Sequence, residues 1–269
     1  MFEFGIIGGD MRSVFLAQAL EARGHRVLCA LLDRERPCCP PEEALAADRL
    51  ILPMPPVRGG FLNAPLGSRS LPAGELAART AGRIVYAGGA FPGAVNYAAD
   101  AWLVRQNAAV TAEAAAPHYA ALARRTVRGS HIAVAGFGRV GQAVAVLFRA
   151  MGADIRVAAR RQAVREQAAA LGFSVCPMEE LAGGLSDRDG LINTVPAAVI
   201  GEREIGALPA GSVILDLASA PGGVDFAAAL RHGIPAELAL ALPGRYAPAT
   251  AGELLAEVIE RLCREEKHD

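Results

Sequence analysis

Lysine is almost missing from this chain. Of 27 basic residues, Lys267 is the only lysine and the rest are arginines. Chemistry through a lysine Schiff base or a lysine general acid therefore has no candidate in the body of the protein. Cysteine is sparse too. Cys38 and Cys39 are adjacent, while Cys29, Cys176 and Cys263 are scattered. No pair has CxxC spacing, so neither a zinc site nor a redox dithiol is signalled and no metal is expected. The five read as small apolar fillers and loop thiols. No apolar run reaches the length of a membrane span. Net charge is −1, with charged residues at 20%. That balance offers no electrostatic reason to expect nucleic acid or an anionic membrane as partner. The opening MFEFGIIGGD lacks the basic, apolar and cleavage regions of a signal peptide. A cytoplasmic location is the expectation.

What is present is apolar and periodic. The 269 residues, 52% hydrophobic, suit two domains with ample cores. Residues 2–7 read as a buried strand, Gly8-Gly9-Asp10 as a turn, 12–23 as a helix ended by Gly24, and 26–32 as a second strand. Short strands follow at 49–52 and 83–87. The Pro- and Gly-rich stretch 53–74 between them reads as loop. The alanine-dominated stretch 95–125 predicts one or two long helices, with Pro117 as a break or kink. Beyond Gly129, strands are expected at 131–135, 155–159, 190–193, 212–216 and near 236–242, with a closing amphipathic helix over 250–264. Alternating strands and helices imply an α/β protein of two domains. An N-terminal flavodoxin-like or Rossmann-like parallel domain spans 1–110, and a C-terminal NAD(P)-binding Rossmann domain spans 111–269. Helix 250–264 could instead join the first domain.

The second domain carries a dinucleotide fingerprint. Gly136-Phe137-Gly138-Arg139-Val140-Gly141 stands between a strand and a helix, inside a βαβ unit of about thirty residues. Gly136 permits the tight turn, Gly138 lets backbone approach a pyrophosphate, and Gly141 lets helix and strand pack closely. Arg139 and Val140 open the helix whose N-terminus would face the phosphates.

Cofactor type is read at the end of the second strand. An NAD site usually has Asp or Glu about twenty residues on. Here the residues are Ala158-Ala159-Arg160-Arg161. Paired guanidinium groups match a 2′-phosphate in charge and geometry, so NADP is inferred over NAD. The alternative is that Arg160 and Arg161 simply open a solvated helix. Two more strand ends should meet the cofactor: Thr194-Val195-Pro196 after Asn193, and Ala218-Ser219 after Asp216. Asp216 could equally bind its own loop.

Taken together, GGDMR (8–12), AGGAFPGAVNYA (87–98), AGFGRVGQAVA (135–145), VAARR (157–161), NTVPA (193–197), DLASAPGGVDF (216–226) and LPGRYAPATAGELLAEVI (242–259) resemble the A-subunit family of dipicolinate synthase. The likeness runs through nearly the whole chain in matching order. It implies NADP-dependent oxidation of dihydrodipicolinate, or its hydroxytetrahydro form, to dipicolinate during sporulation. It further implies a partner, the flavoprotein-like B subunit, with the mother-cell cytoplasm as location. Homo-oligomerisation is left open. Where that family commonly has lysine, this chain has Ala220, which removes a charge from that position.

A dicarboxylate substrate needs cationic or N–H donors. The candidates are Arg12 with Asp10 at the first turn, Arg105 on the connecting helix, and Arg245, with Thr111 and Glu113 weaker. Asp10 could orient Arg12 or cap the helix. No general acid or base stands out. The 2-hydroxy-acid dehydrogenases share the two-domain plan and use a late histidine. Here the late histidine before the tail is His232, in a segment that reads as a helix end. The two other readings of these residues are a hydroxy-acid oxidoreductase and a non-catalytic NADP-binding subunit.

Overall fold

The structure, a computed structural model, describes residues 1–266. Lys267 and His268 lie outside the described residues. The described residues form two compact units, 1–107 together with 243–266, and Ala108–Leu242.

The first unit opens with β1 (Glu3–Ile7), α1 (Met11–Ala22) and β2 (Arg26–Ala30). Phe4, Ile6 and Ile7 are buried, as expected for a strand covered on both faces. There follow α2 (Pro41–Leu45), β3 (Arg49–Ile51), β4 (Val57–Arg58), β5 (Phe61–Leu62), α3 (Ala73–Thr80), β6 (Ile84–Ala87) and β7 (Val95–Asn96). The main sheet is parallel, in the order β2-β1-β3-β6-β7. This is a flavodoxin-like winding, with its switch point between β1 and β3.

Two stretches differ from the sequence reading. The segment 53–74 is not all loop, because β4 and β5 pair as an antiparallel hairpin within it and α3 begins at Ala73. Gly59 and Gly60, with φ of 59° and 82°, form its two-residue turn. Consecutive glycines at positive φ are the signature of such a hairpin. Helix also does not start at 95. Val95–Asn96 add an edge strand, and Asp100 caps the following helix through Leu103 N–H at 2.8 Å. That helix, α4 (Ala101–Ala123), runs unbroken past Pro117, and the boundary between the units falls within it. Pro117 and Glu113 are both exposed, so water can reach the carbonyl that the proline leaves unpaired.

The second unit contains β8 (His131–Ala135), α5 (Arg139–Ala150), β9 (Asp154–Ala159), α6 (Gln162–Ala170), β10 (Ser174–Pro177), β11 (Gly190–Asn193), α7 (Glu202–Gly206), β12 (Val213–Asp216), α8 (Phe226–Arg231) and β13 (Ala236–Leu238). The six strands are parallel in the order β10-β9-β8-β11-β12-β13. Counted along this unit, that is the dinucleotide-binding order, and its crevice opens between β8 and β11. Successive β8 residues alternate between layers. Ile132 and Val134 join one apolar cluster, Ala133 and Ala135 the other.

After α9 (Leu242–Tyr246), α10 (Pro248–Glu265) returns to the first unit. This is the arrangement that the sequence left open for helix 250–264. Leu255, Val258, Ile259 and Cys263 form a buried stripe at helical spacing, in one cluster with Val14, Leu16 and Leu20 of α1. Gly252 lets the two helices close up, since a Cβ there would sit 2.6 Å from Phe15 Cβ and 2.7 Å from Leu16 N.

Glu260 fastens α10 in place. It accepts from Arg23 Nη1 at 2.9 Å and from His25 Nε2 at 2.8 Å. Phe2 N–H donates to His25 Nδ1, so the hydrogen on the ring sits at Nε2. Burial alone would raise the Glu260 pKa. The His25 hydrogen bond and the Arg23 charge outweigh it, and the carboxyl is held below its usual 4.5. A carboxylate with a lowered folded pKa stabilises above its unfolded value, and that contribution fades as pH falls through the folded value. Glu260→Gln should therefore cost about 1 kcal/mol near neutrality. Thermal unfolding across pH should show the gap from the parent shrinking below 4.5.

Candidate functional site

The crevice of the second unit is built around the turn after β8. Gly136 has φ of 91°, and a Cβ on it would lie 2.6 Å from Thr194 Oγ1 and 2.8 Å from Val195 Cγ2. Gly141 lies under the turn, where a Cβ would stand 2.3 Å from the Gly136 carbonyl oxygen. Gly138 differs from both, because a Cβ there would meet no protein atom within 4 Å. Its missing side chain is not required by the fold and leaves room for a ligand. Gly138 also caps α5 without a side-chain bond, so first-turn N–H groups stand free at the positive end of the helix dipole. Arg139 is exposed, Val140 half-buried, and neither lines the cavity.

That cavity holds about 370 Å³ and is lined by Gly136, Phe137 and Gly138 after β8, Ala159, Arg160 and Arg161 after β9, and Thr194, Val195 and Pro196 after β11. Val164, Met178, Ala197 and Val199 complete an apolar side that sequence reasoning missed. Met178 follows β10, a strand absent from the sequence reading, so the strand-edge rule had nothing to point to there. Arg160 and Arg161 are exposed at the end of β9. Arg165, also missed, donates from Nη1 to the carbonyls of Ala159 at 2.9 Å and Arg160 at 2.7 Å.

The wall after β11 is tied down from behind. Asn193 Nδ2 donates to Asp216 Oδ1 at 2.9 Å and to the Val195 carbonyl at 3.1 Å, and Val195 N–H donates to Asn193 Oδ1. Thr194 hydroxyl donates to the Ala135 carbonyl at 3.0 Å, joining the ends of β8 and β11. Asp216 is wholly buried and accepts from the N–H groups of Ala218 and Gly223 at 3.0 and 2.7 Å. It organises its own loop. Ala218 is buried and Ser219 exposed on that loop, and neither lines the cavity. Ala220 is exposed beside them.

In the first unit the strand ends at the switch point gather a separate polar group. Asp10 both caps α1, accepting from Arg12 N–H at 3.0 Å, and chelates the Arg12 guanidinium, with Nε–Oδ1 at 2.9 Å and Nη2–Oδ2 at 2.8 Å. Both roles open to Asp10 therefore coexist. Arg12 Nη2 also donates to the Met54 carbonyl at 2.6 Å. Burial works against the Arg12 charge, but the hydrogen bond and charge of Asp10 prevail and raise its pKa. Tyr97 is fully buried nearby, its phenol pKa pushed up by desolvation, and it donates to the Leu52 carbonyl. Gly244 packs on Arg12, a Cβ there meeting Arg12 Nε at 2.8 Å, and the next residue, Arg245, is exposed. Arg105 is exposed on α4. Thr111 and Glu113 belong to the second unit, half-buried and exposed. His232 caps the C-terminus of α8 and pairs with Glu202. It precedes β13 and so stands at the amino edge of a parallel sheet whose crevice is at the carboxyl edge.

Residues 3–103 match the N-terminal domain of the dipicolinate synthase A subunit. Residues 101–230 match the NAD binding domain of D-isomer specific 2-hydroxyacid dehydrogenases. The crystal structure of the dipicolinate synthase A subunit from Bacillus halodurans superposes with a TM-score of 0.87 at 28% identity, over 97% of each chain. The chain resembles the A subunit of dipicolinate synthase. The A chain from Bacillus subtilis gives a TM-score of 0.86 at 27% identity, over 99% of this chain and 97% of that one. A curated dipicolinate synthase A subunit from Bacillus subtilis (strain 168) is 41% identical over 140 residues, 52% of this chain and 47% of that protein. The aligned part thus spans about half the length of that relative. With the fingerprint in its strand–turn–helix context, the second unit is a nicotinamide-nucleotide type of Rossmann domain. No helix among the described residues is long and apolar enough to cross a membrane.

Proposed function

We propose that this chain is the A subunit of a dipicolinate synthase. In this reading it uses NADP to oxidise dihydrodipicolinate, or its hydroxytetrahydro form, to dipicolinate. It works with a flavoprotein-like B subunit in the cytoplasm of a sporulating mother cell. One observation carries the cofactor choice: the crevice after β8 ends at two exposed arginines with no carboxylate on the strand end. The activity named for the relatives carries the choice of reaction.

The nicotinamide nucleotide, when bound, supplies a hydride acceptor. The residues of this chain do the rest. Gly138 and the first turn of α5 hold the pyrophosphate, Arg160 and Arg161 the 2′-phosphate, and Thr194, Val195 and Pro196 the nicotinamide ribose, with Ala218 and Ser219 on the neighbouring strand end. Arg12, oriented by Asp10, serves the substrate carboxylates with Arg245 and Arg105. From the dihydro acid a ring carbon would give its hydride to the nicotinamide and a proton to solvent, which makes the ring aromatic and is strongly downhill, so orientation can supply most of the catalysis; from the hydroxytetrahydro form one water would leave as well, and a proton donor would assist that loss.

Titration of the purified chain with NADPH and NADH tests the reading. NADPH should bind more tightly by about tenfold or more, and Arg160→Ala with Arg161→Ala should erase the difference. Equal affinities in the parent protein would remove the NADP assignment. An assay of the chain alone, with NADP and the lysine-pathway intermediate, separates a catalytic subunit from a binding one. The hydroxy-acid reading instead requires lactate-like substrates and a dependence on His232, which the position of that residue at the amino edge of the sheet opposes.

A further inference from the structure

We infer that Arg165 is a positioning and specificity-determining residue of the nucleotide site, setting the preference for a phosphorylated dinucleotide over its unphosphorylated counterpart. The inference rests on the NADP reading above and adds a residue to it.

Arg165 stands in the first turns of α6, four residues after Arg161. It does not line the cavity. One of its nitrogens, Nη1, bonds two consecutive carbonyls, those of Ala159 and Arg160, which belong to residues that do line it. Bonds from a guanidinium to carbonyl oxygens are charge-assisted and stronger than neutral ones. The turn needs this support, because Arg161 caps α6 with extended backbone and no side-chain hydrogen bond. Arg165 thus fixes the peptide units from which the Arg160 and Arg161 side chains depart.

Its charge matters as well as its bonds. Among the described residues, none of Arg160, Arg161 and Arg165 has a carboxylate in ion-pair contact. The nearest acid on the same helix, Glu166, is engaged by Gln162 at 2.8 Å. Three like charges within six residues, from the end of β9 to the start of α6, make that edge positive, and a dianion placed there gains from all three. A neutral ribose hydroxyl does not. A group that only fastened the turn would support both nucleotides alike, whereas an added cation separates them.

The test is calorimetric titration of the full chain with NADPH and NADH, for the parent, R165A, R165M and R165K. R165A and R165M should weaken NADPH binding by about tenfold while NADH changes by less than about twofold, and R165K should recover part of the preference. R165M keeps the aliphatic stem and carries the test should R165A not fold. Equal loss for both nucleotides, or an unchanged ratio, overturns the inference. A parent protein without any preference instead defeats the NADP reading itself, an outcome visible before any variant is made.

Discussion

Gly141→Ala should unfold the second unit at markedly lower temperature and abolish nucleotide binding, whereas Gly138→Ala should melt like the parent and lose binding alone. The two glycines belong to one motif but face different neighbours. A Cβ on Gly141 would lie 2.3 Å from a backbone oxygen of Gly136 and 3.0 Å from its carbonyl carbon. Backbone cannot step aside as a flexible side chain can, so α5 would have to lift from β8, at about 3 kcal/mol. Beside Gly138 there is only open space. A methyl group there intrudes on the ligand and not on the protein, with an expected affinity loss of about tenfold or more. Differential scanning calorimetry and nucleotide titration of both variants check the contrast. Equal melting points would show that the packing of α5 on β8 is looser than described.

Asp216→Ala should be the most destabilising single change in the second unit outside its apolar core. The carboxylate is wholly buried and receives three donors, Asn193 Nδ2 and the N–H groups of Ala218 and Gly223. Removing it leaves those donors without their acceptor in a dry interior, for about 3–5 kcal/mol. The loss would spread to the cavity. Gly223 is wedged against the Val195 and Ala197 carbonyls, and a Cβ there would come within 2.6 and 2.3 Å of them. Once the Asp216 latch opens, the wall carrying Thr194, Val195 and Pro196 loses its backing. Asp216→Asn should be milder in stability yet still harmful, since one carboxylate oxygen becomes an N–H donor facing another donor. Urea unfolding gives the ranking, and a parent-like midpoint for Asp216→Ala would defeat it.

Much of this is legible in the sequence. Gly136, Gly138 and Gly141 stand in the strand–turn–helix setting their spacing predicts, and Arg160 and Arg161 line the cavity at the end of the second strand of that unit. Both are local properties, a glycine pattern and a position at a strand end. What escapes depends on contacts between distant residues. The apolar pattern of β10 is too short to separate from loop, and Met178 is lost with it. Arg165 looks like any charge on an exposed helix, because its value lies in reaching back to carbonyls at the preceding strand end. The hairpin around Gly59 and Gly60 is hidden by the prolines that surround it. For Asp216 the residues alone leave ligand and loop equally open, and only the placement of Gly223, seven residues on, decides for the loop.

The chain leaves its first unit inside α4 and comes back to it only at Pro243. Order of synthesis and order of completion therefore part company. On a ribosome, the six-stranded sheet emerges in one continuous stretch and can close on its own. The flank of α1 that carries Val14, Leu16 and Leu20 must wait, open to water, until the final helix has been made. Damage to the last twenty or so residues would thus strike the oldest part of the nascent chain, through the helix-length burial it is denied.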